Sequence, residues 1–113
     1  MTANEYQELA MRFASPTSTE SGSTLLLQGV MGLCGEAGEA IDIVKKFIFH
    51  GHTLDRVHLA KELGDVAWYL ATAAKAIDYT LEDIMQMNID KLTARYGEHF
   101  DSEKSIHRRE GDV

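Results

Sequence analysis

The feature that most restricts the fold of this chain is a helical repeat of apolar residues in two long segments. Between residues 24 and 50, and again between 55 and 77, apolar residues recur about every 3.6 positions, and the 113 residues include a single proline. The two apolar stripes are Leu26, Val30, Leu33, Ala37, Ile41, Val44 and Ile48, and Leu59, Leu63, Val66, Ala67, Leu70, Ala74 and Ile77. The sequence therefore predicts an all-α protein in which two long helices pair in antiparallel fashion along these stripes.

Capping motifs predict shorter helices before and after this pair. Candidate helix starts are Thr2, Asp55 and Thr80, where a side-chain oxygen can accept a backbone N–H of the first turn. Residues 1–97 are predicted to form a single domain, and the polar residues 98–113 a flexible C-terminal tail. Because a four- to five-helix bundle of this size leaves part of its core uncovered, we expect the core to be completed by dimerisation.

Charge and composition exclude several classes of function. The chain has 18 acidic residues against 11 lysines and arginines, a net charge of −7. This charge argues against a broad basic surface that would bind the phosphates of DNA or RNA. No apolar run approaches the roughly 20 residues of a membrane helix, and the N-terminus does not have the pattern of a signal peptide. The single cysteine, Cys34, excludes an internal disulfide framework. We therefore expect a cytoplasmic protein without nucleic-acid or membrane partners.

Each long helix carries two acids three residues apart. Glu36 and Glu39 lie in GEAGEA, and Glu62 and Asp65 lie in ELGD. At 100° per residue, one acid of each pair lies at the edge of its stripe and the other lies further out, so both pairs can flank one seam. A solvated acidic surface is one interpretation, since composition alone predicts about three such pairs. The other is a hard cation, Mg²⁺ or Mn²⁺, that offsets the repulsion among the carboxylates.

Four glycines recur every third residue on the first long helix. They are Gly29, Gly32, Gly35 and Gly38. Each costs about 1 kcal/mol relative to alanine inside a helix. Helical side chains lean toward the N-terminus, so Gly32 and Gly35 clear space toward which Glu36 and Glu39 point. Close approach of a neighbouring helix would also require glycine, and the two explanations can hold together.

One face of the last predicted helix is apolar at its start and becomes polar toward its end. Asn88, Lys91 and Arg95 continue the face that begins with Leu81 and Ile84. An amide followed by two cations indicates the wall of an anionic pocket, because an amide on a core-side face needs hydrogen-bond partners. For Lys91 and Arg95 the alternative is a favourable interaction of cations with a helix C-terminus.

Three residues on the long helices have two interpretations each. Lys46 can reach a phosphate or pair with a surface acid. Tyr69 lies four residues after Asp65 and can stack on a base or pack in the core. His58 lies four residues before Glu62 and is either a peripheral contact or a solvated side chain.

Three segments, in order, match a known pattern. GLCGEAGEAIDIVKK, KELGDVAWYLATAA and NIDKLTARYG resemble the MazG-like nucleoside triphosphate pyrophosphohydrolases of the all-α NTP pyrophosphatase superfamily. The family pattern is E-x-x-E, then E-x-x-D, then N-x-x-K-L-x-x-R-Y, and it runs here from Leu33 to Tyr96. The resemblance implies a MazG-type fold, a nucleoside triphosphate substrate, and a bound Mg²⁺, with Mn²⁺ as a substitute. It implies that the metal is coordinated by Glu36, Glu39, Glu62 and Asp65, and that the nucleotide is bound by Asn88, Lys91 and Arg95.

The resemblance also implies a reaction. Such enzymes hydrolyse the bond between the α- and β-phosphates, giving a nucleoside monophosphate and pyrophosphate, and they serve sanitation or balance of the nucleotide pool. Glu36 or Glu39 is the candidate general base, and a homodimer or a dimer of dimers is expected. Two alternatives stay open: a non-catalytic helical dimer for nucleotide sensing or protein interaction, and a phosphoribosyl-ATP pyrophosphatase.

Overall fold

The computed structural model describes residues 1–17, 19, 21–97 and 100–107, and every regular element in these ranges is a helix. The helices are α1 (Ala3–Met11), α2 (Gly22–Phe49), α3 (Arg56–Ala76), α4 (Leu81–Tyr96) and α5 (Ser102–Ile106). The prediction of an all-α fold is therefore confirmed. The chain divides into two compact units, Met1–Leu81 and Glu82–Val113, and each is described by itself.

The long helices begin where short polar side chains cap them. Asp55 accepts the backbone N–H of His58 at 3.0 Å, as the sequence predicted for the start of α3. Helix α2 begins two residues earlier than predicted, because the Ser21 hydroxyl accepts the backbone N–H of Thr24 at 3.1 Å. Helix α5 lies in the segment predicted to be a polar tail, whose last residues, 108–113, are outside the described ranges. Among the described helices, none has the length and apolar character needed to cross a membrane.

A buried glutamine fixes α1 against α3. The Gln7 amide nitrogen donates to the carbonyl oxygens of Ala71 and Tyr79, each at 3.2 Å, and its carbonyl oxygen accepts the Leu81 N–H at 3.0 Å. Trp68 adds a fourth link by donating its indole N–H to the Ala10 carbonyl oxygen at 2.9 Å. A single polar side chain thus bonds three backbone groups at the end of α3 and the start of α4.

Helices α2 and α3 meet along a face that the apolar stripes do not define. A Cβ atom added to Gly29 would come within 2.8 Å of the Ala73 backbone nitrogen, and one added to Gly32 would overlap the ring of Tyr69. The buried residues of α2 are Leu25 and Gly29. The seam therefore depends on glycines that allow close backbone approach, and the packing explanation of the glycine row holds for Gly29 and Gly32.

The predicted stripe of α2 faces largely outward. Val30, Ile41 and Ile48 are 45%, 62% and 59% exposed, and Leu63 on α3 is 54% exposed. The two long helices do pair, but the prediction that they pair along both stripes was wrong for the stripe of α2. Its physical reason is that the glycines bring the backbones together on the neighbouring face, and this face also carries the acids.

Candidate metal and nucleotide site

Three carboxylates converge in the seam between α2 and α3. Glu36, Glu62 and Asp65 each offer one oxygen, and these oxygens lie within 4.8 Å of one another. Glu36 follows Gly32 by one helical turn, and Asp65 precedes Tyr69 by one turn, so the contact of Gly32 with Tyr69 sets the register that brings the acids together. We call Glu36, Glu62 and Asp65 the carboxylate triad.

Mutual repulsion keeps a proton in the triad. The pKa of Glu36 rises to about 7, first because its carboxyl group donates a hydrogen bond to Glu62, and further because of burial and the charges of Glu39, Asp65 and Glu62. The pKa of Glu62 falls below its usual range, because hydrogen bonds from Glu36, then from Glu39 and His58, stabilise its charged form. Without a compensating cation, Glu36 thus titrates near neutral pH, whereas Glu62 is ionised there.

The triad fits a hard divalent cation. One oxygen of Glu36 and one of Glu62, both Oε2, are buried without a hydrogen-bond partner among the described residues. Buried carboxylate oxygens without donors are costly unless a cation takes the place of the donors. Oxygen ligands are those that Mg²⁺ and Mn²⁺ prefer. Glu36, Glu62 and Asp65 are therefore the residues that would hold such an ion.

Glu39, the fourth predicted metal ligand, lies beside the triad. Its carboxylate is close enough to hydrogen-bond Glu62 and to raise the pKa of Glu36 by its charge. It is an exposed residue and is not among the three whose oxygens cluster within 4.8 Å. The structure thus brings together three of the four predicted ligands and places the fourth at their edge.

A cavity of about 860 Å³ opens next to the triad, where the α2–α3 turn leaves the seam. We call it the turn cavity. It is lined by Gly35, Gly38, Glu39, Asp42, Ile43, Lys46, His52, Thr53, Asp55, His58 and Glu62. Of the predicted ligands, Glu39 and Glu62 line it, so a molecule held at the triad can extend into it.

Side chains of the turn cavity are held in place by ion pairs and hydrogen bonds. Lys46 pairs with Asp42 at 3.0 Å, and Lys45 pairs with the same carboxylate at 3.1 Å. These bonds, that of Lys46 first, hold the pKa of Asp42 below its usual range. His58 Nε2 lies 3.3 Å from Glu62 Oε1. Lys46, predicted to bind substrate, therefore stands in the cavity wall beside an acid.

Tyr69, predicted to contact a base, packs in the seam. Its ring lies over Gly32 and makes an edge-to-face contact with Trp68, with ring centroids 5.0 Å apart and an interplanar angle of 89°. Of the two interpretations of Tyr69, this geometry matches packing between helices.

The predicted phosphate-binding residues belong to the second unit. Asn88 and Lys91 are exposed on α4. Arg95 is 9% exposed, and its guanidinium carbon lies 5.6 Å from the centroid of the Tyr96 ring. The last turn of α4 is further fixed by Lys104, whose ammonium group donates to the Tyr96 carbonyl oxygen at 3.1 Å.

Sequence reasoning left the role of His58 open and missed two other residues around the site. For His58 a pattern was available, because a histidine four residues before a glutamate lies on the same helical face. His52 and Thr53 carried none, since their position depends on the path of the turn, where the His52 N–H is bonded to the Lys46 carbonyl oxygen at 3.2 Å.

Comparison with known proteins gives a family match. Residues 26–100 match the MazG nucleotide pyrophosphohydrolase domain. The chain is also 42% identical, over 69 residues, to the gene 37 protein of Mycobacterium phage L5. That alignment covers 58% of this chain and 60% of the phage protein, so the chain matches less than two thirds of the length of that relative. No solved structure gives a significant match.

Fold and site together define an all-helical protein with a carboxylate cluster suited to a divalent cation. The match to the domain covers well over half of the chain and includes the triad, the turn cavity, and Asn88, Lys91 and Arg95. The chain belongs to the MazG nucleotide pyrophosphohydrolase domain family.

Proposed function

We propose that this protein is a divalent-cation-dependent nucleoside triphosphate pyrophosphohydrolase. It cleaves ribo- or deoxyribonucleoside triphosphates between the α- and β-phosphates, in the sanitation or balance of the nucleotide pool. The observation that carries the proposal is the carboxylate triad, in which Glu36 Oε2 and Glu62 Oε2 are buried without hydrogen-bond partners among the described residues. A cluster of this kind in a family of nucleotide pyrophosphohydrolases favours phosphate chemistry over a purely structural role.

Within this proposal, Glu36, Glu62 and Asp65 hold Mg²⁺ or Mn²⁺. When bound, such an ion neutralises phosphate charge and acidifies a water molecule. Glu36 must release its proton before it can serve as a ligand, because a protonated carboxyl group is a poor one. Lys91 and Arg95 bind the phosphates, and Asn88 helps to hold the nucleotide.

Glu39 is the proposed general base. It stands outside the cluster of ligand oxygens but lines the turn cavity together with Glu62, so its carboxylate can accept a proton next to the reacting phosphorus. The oxygen of water bonds to the α-phosphorus, the bond from that phosphorus to the bridging oxygen breaks, and the proton passes to Glu39. The products are a nucleoside monophosphate and pyrophosphate.

Replacing Glu39 with Gln tests this role. We expect kcat to fall by about 10²- to 10⁴-fold, the usual contribution of a general base, while the affinity for Mg²⁺ changes little. Asp65→Asn serves as the comparison, because removing a triad ligand should weaken Mg²⁺ binding itself. Equal losses of Mg²⁺ affinity in the two variants would assign Glu39 to the metal instead.

We propose that a second copy of the chain packs on the exposed stripe of α2 and buries it in a homodimer interface. Val30, Ile41 and Ile48 form an apolar face of the kind that homodimers bury. Ile41→Lys should shift the protein to a monomer in light scattering. Val57→Lys is the matched control, because Val57 is 66% exposed, against 62% for Ile41, but lies outside the stripes. A wild-type monomer would refute the dimer.

The reaction is tested with a panel of nucleoside triphosphates in the presence of Mg²⁺, scored for pyrophosphate and orthophosphate separately. We expect pyrophosphate in equimolar amount with the monophosphate, and its loss on chelation or in Asp65→Asn. Orthophosphate alone would indicate another reaction, and binding without turnover would indicate a nucleotide sensor. Phosphoribosyl-ATP belongs in the panel, because selective cleavage of it would assign the related pyrophosphatase activity.

A further inference from the structure

We propose that the turn cavity binds the nucleoside part of the substrate, its base and sugar, and leaves the phosphates to the carboxylate triad. This inference rests on the proposed function, since it concerns the substrate of the same site. The cavity shares Glu39 and Glu62 with the acidic cluster, whereas Glu36 and Asp65 do not line it. It is therefore next to the triad, on one side of it.

The floor of the turn cavity is formed in part by helical backbone, at Gly35 and Gly38 of α2. In the described part of the chain, and apart from the adjoining residues and backbone of α2 itself, no atom lies within 4 Å of a Cβ built on Gly35 or Gly38. These two glycines therefore do not serve packing within this unit, although each costs helix stability relative to alanine. The space that they leave open belongs to a cavity of about 860 Å³, within the usual range of small-molecule sites.

The charge of the wall favours a nucleoside over phosphates. Four carboxylates line the cavity against one lysine. Glu39 and Glu62 belong to the site that handles the phosphates, and the other two, Asp42 and Asp55, still outnumber the lysine. The lysine, Lys46, is already paired with Asp42. Carboxylates repel phosphate oxygens, but they accept hydrogen bonds from sugar hydroxyls and from the amino groups of bases.

Two imidazole rings and a hydroxyl complete the wall. His58 Nε2 lies 3.3 Å from Glu62 Oε1, and the backbone N–H of His52 donates to the Lys46 carbonyl oxygen at 3.2 Å. Flat rings can stack on a base, and the Thr53 hydroxyl can both donate and accept hydrogen bonds. The wall thus offers the contacts that a base and a sugar require, beside a metal site suited to the phosphates.

The test measures binding of deoxynucleoside monophosphates and, separately, of inorganic pyrophosphate, by calorimetry with Mg²⁺ present. The variant is Gly38→Leu, in which a good helix former fills the cavity from its floor. Gly64→Leu is the matched control, because Gly64 is also a helical glycine with no described atom within 4 Å of an added Cβ, and it does not line the cavity. His52→Ala is a second variant, outside any helix.

We expect Gly38→Leu to weaken monophosphate binding at least about tenfold, which corresponds to about 1.4 kcal/mol, and to leave pyrophosphate binding and the control unchanged. His52→Ala should weaken monophosphate binding alone, by a smaller factor. An equal loss of pyrophosphate binding would place phosphates in the cavity and overturn the proposal. So would unchanged monophosphate binding in both variants, or no monophosphate binding by the wild type.

The outcome is separable from that of the proposed function. A wild-type protein that cleaves no triphosphate, yet loses monophosphate binding in Gly38→Leu, would refute the hydrolysis and support the nucleoside cavity. A Gly38→Leu variant that hydrolyses triphosphates with unchanged KM would support the hydrolysis and refute the cavity.

Discussion

The glycine row of α2 serves opposite purposes in its two halves. At Gly29 and Gly32 the space that a side chain would occupy is taken up by α3, through the Ala73 backbone and the Tyr69 ring. At Gly35 and Gly38, one and two turns further, the missing side chain leaves open space that forms the floor of the turn cavity. The first half brings the helices together, and the second half keeps the adjacent seam accessible.

Glu36 lies where one half gives way to the other. Close contact at Gly32 sets the separation of the helices, and the next turn places the Glu36 carboxylate against Glu62 and Asp65. A seam of ordinary side chains would hold the backbones further apart, because interhelical distance depends on side-chain size at the contact. The packing half of the row therefore determines the geometry of the acids, and the open half gives a ligand access to them.

Gly29→Ala should have the largest effect on stability. Its Cβ would lie 2.8–3.0 Å from three Ala73 atoms, two of them backbone atoms, so the helices must move apart. We expect a loss of about 1–3 kcal/mol in the free energy of unfolding, as for other overpacked sites, measured by denaturant titration. Gly64→Ala is the control and should not be destabilised. An unchanged free energy of unfolding in Gly29→Ala would show that the helices are not in close contact there.

Gly32→Ala should have a smaller effect, because its Cβ would meet a ring that can rotate instead of a backbone. Displacing Tyr69 from Gly32 should cost about 1–2 kcal/mol in the free energy of unfolding. A double-mutant cycle with Tyr69→Ala isolates this contact, since the penalty should vanish once the ring is absent. If Gly32→Ala is still destabilising in the Tyr69→Ala background, the added Cβ contacts a neighbour other than Tyr69.

Gly35→Ala should have the opposite sign. With open space around the added Cβ, the substitution should stabilise the helix by up to about 1 kcal/mol, and the same change narrows the turn cavity. We expect a higher midpoint of thermal unfolding together with a higher KM for the nucleotide. Destabilisation of Gly35→Ala would remove the contrast between the two halves of the row.

The smallest effect that we predict is a pH dependence of stability in the metal-free protein. The folded-state pKa of Glu36 is raised from 4.5 to about 7, so the protonated form is favoured by folding. Its contribution is fully present below about pH 4.5 and is lost as the pH rises through about 7. Glu36→Gln, which cannot ionise, should flatten this part of the stability profile. A wild-type profile without any decline in this range would contradict the shared proton.

The same titration links pH to metal binding. Because Glu36 must lose its proton to act as a ligand, the affinity for Mg²⁺ should rise with pH through about 7. Proton release on Mg²⁺ binding, measured by calorimetry in buffers of different ionisation enthalpy, should be large below pH 7 and small above it. Equal proton release on both sides of pH 7 would show that the ion does not displace this proton.

Much of this architecture follows from local sequence rules. Asp55 caps α3 as predicted, and the acids of ELGD and GEAGEA lie on facing helices, because capping and periodicity depend on neighbours along the chain. The packing face of α2 was not predictable from its stripe, since periodicity reports side-chain polarity and says little about how closely backbones approach at glycine. The role of Gln7 depends on three carbonyl and amide groups more than 60 residues away, and no local pattern indicates it.

The measurement that tests the central claim most directly is an anomalous difference map from crystals of this protein grown with Mn²⁺. We predict a peak in the α2–α3 seam, coordinated by carboxylate oxygens of Glu36, Glu62 and Asp65. In Asp65→Asn crystals grown in the same way, that peak should be lost or weakened. A fully occupied peak elsewhere on the chain, or a seam in which Glu36 keeps its hydrogen bond to Glu62 at saturating Mn²⁺, would contradict the account.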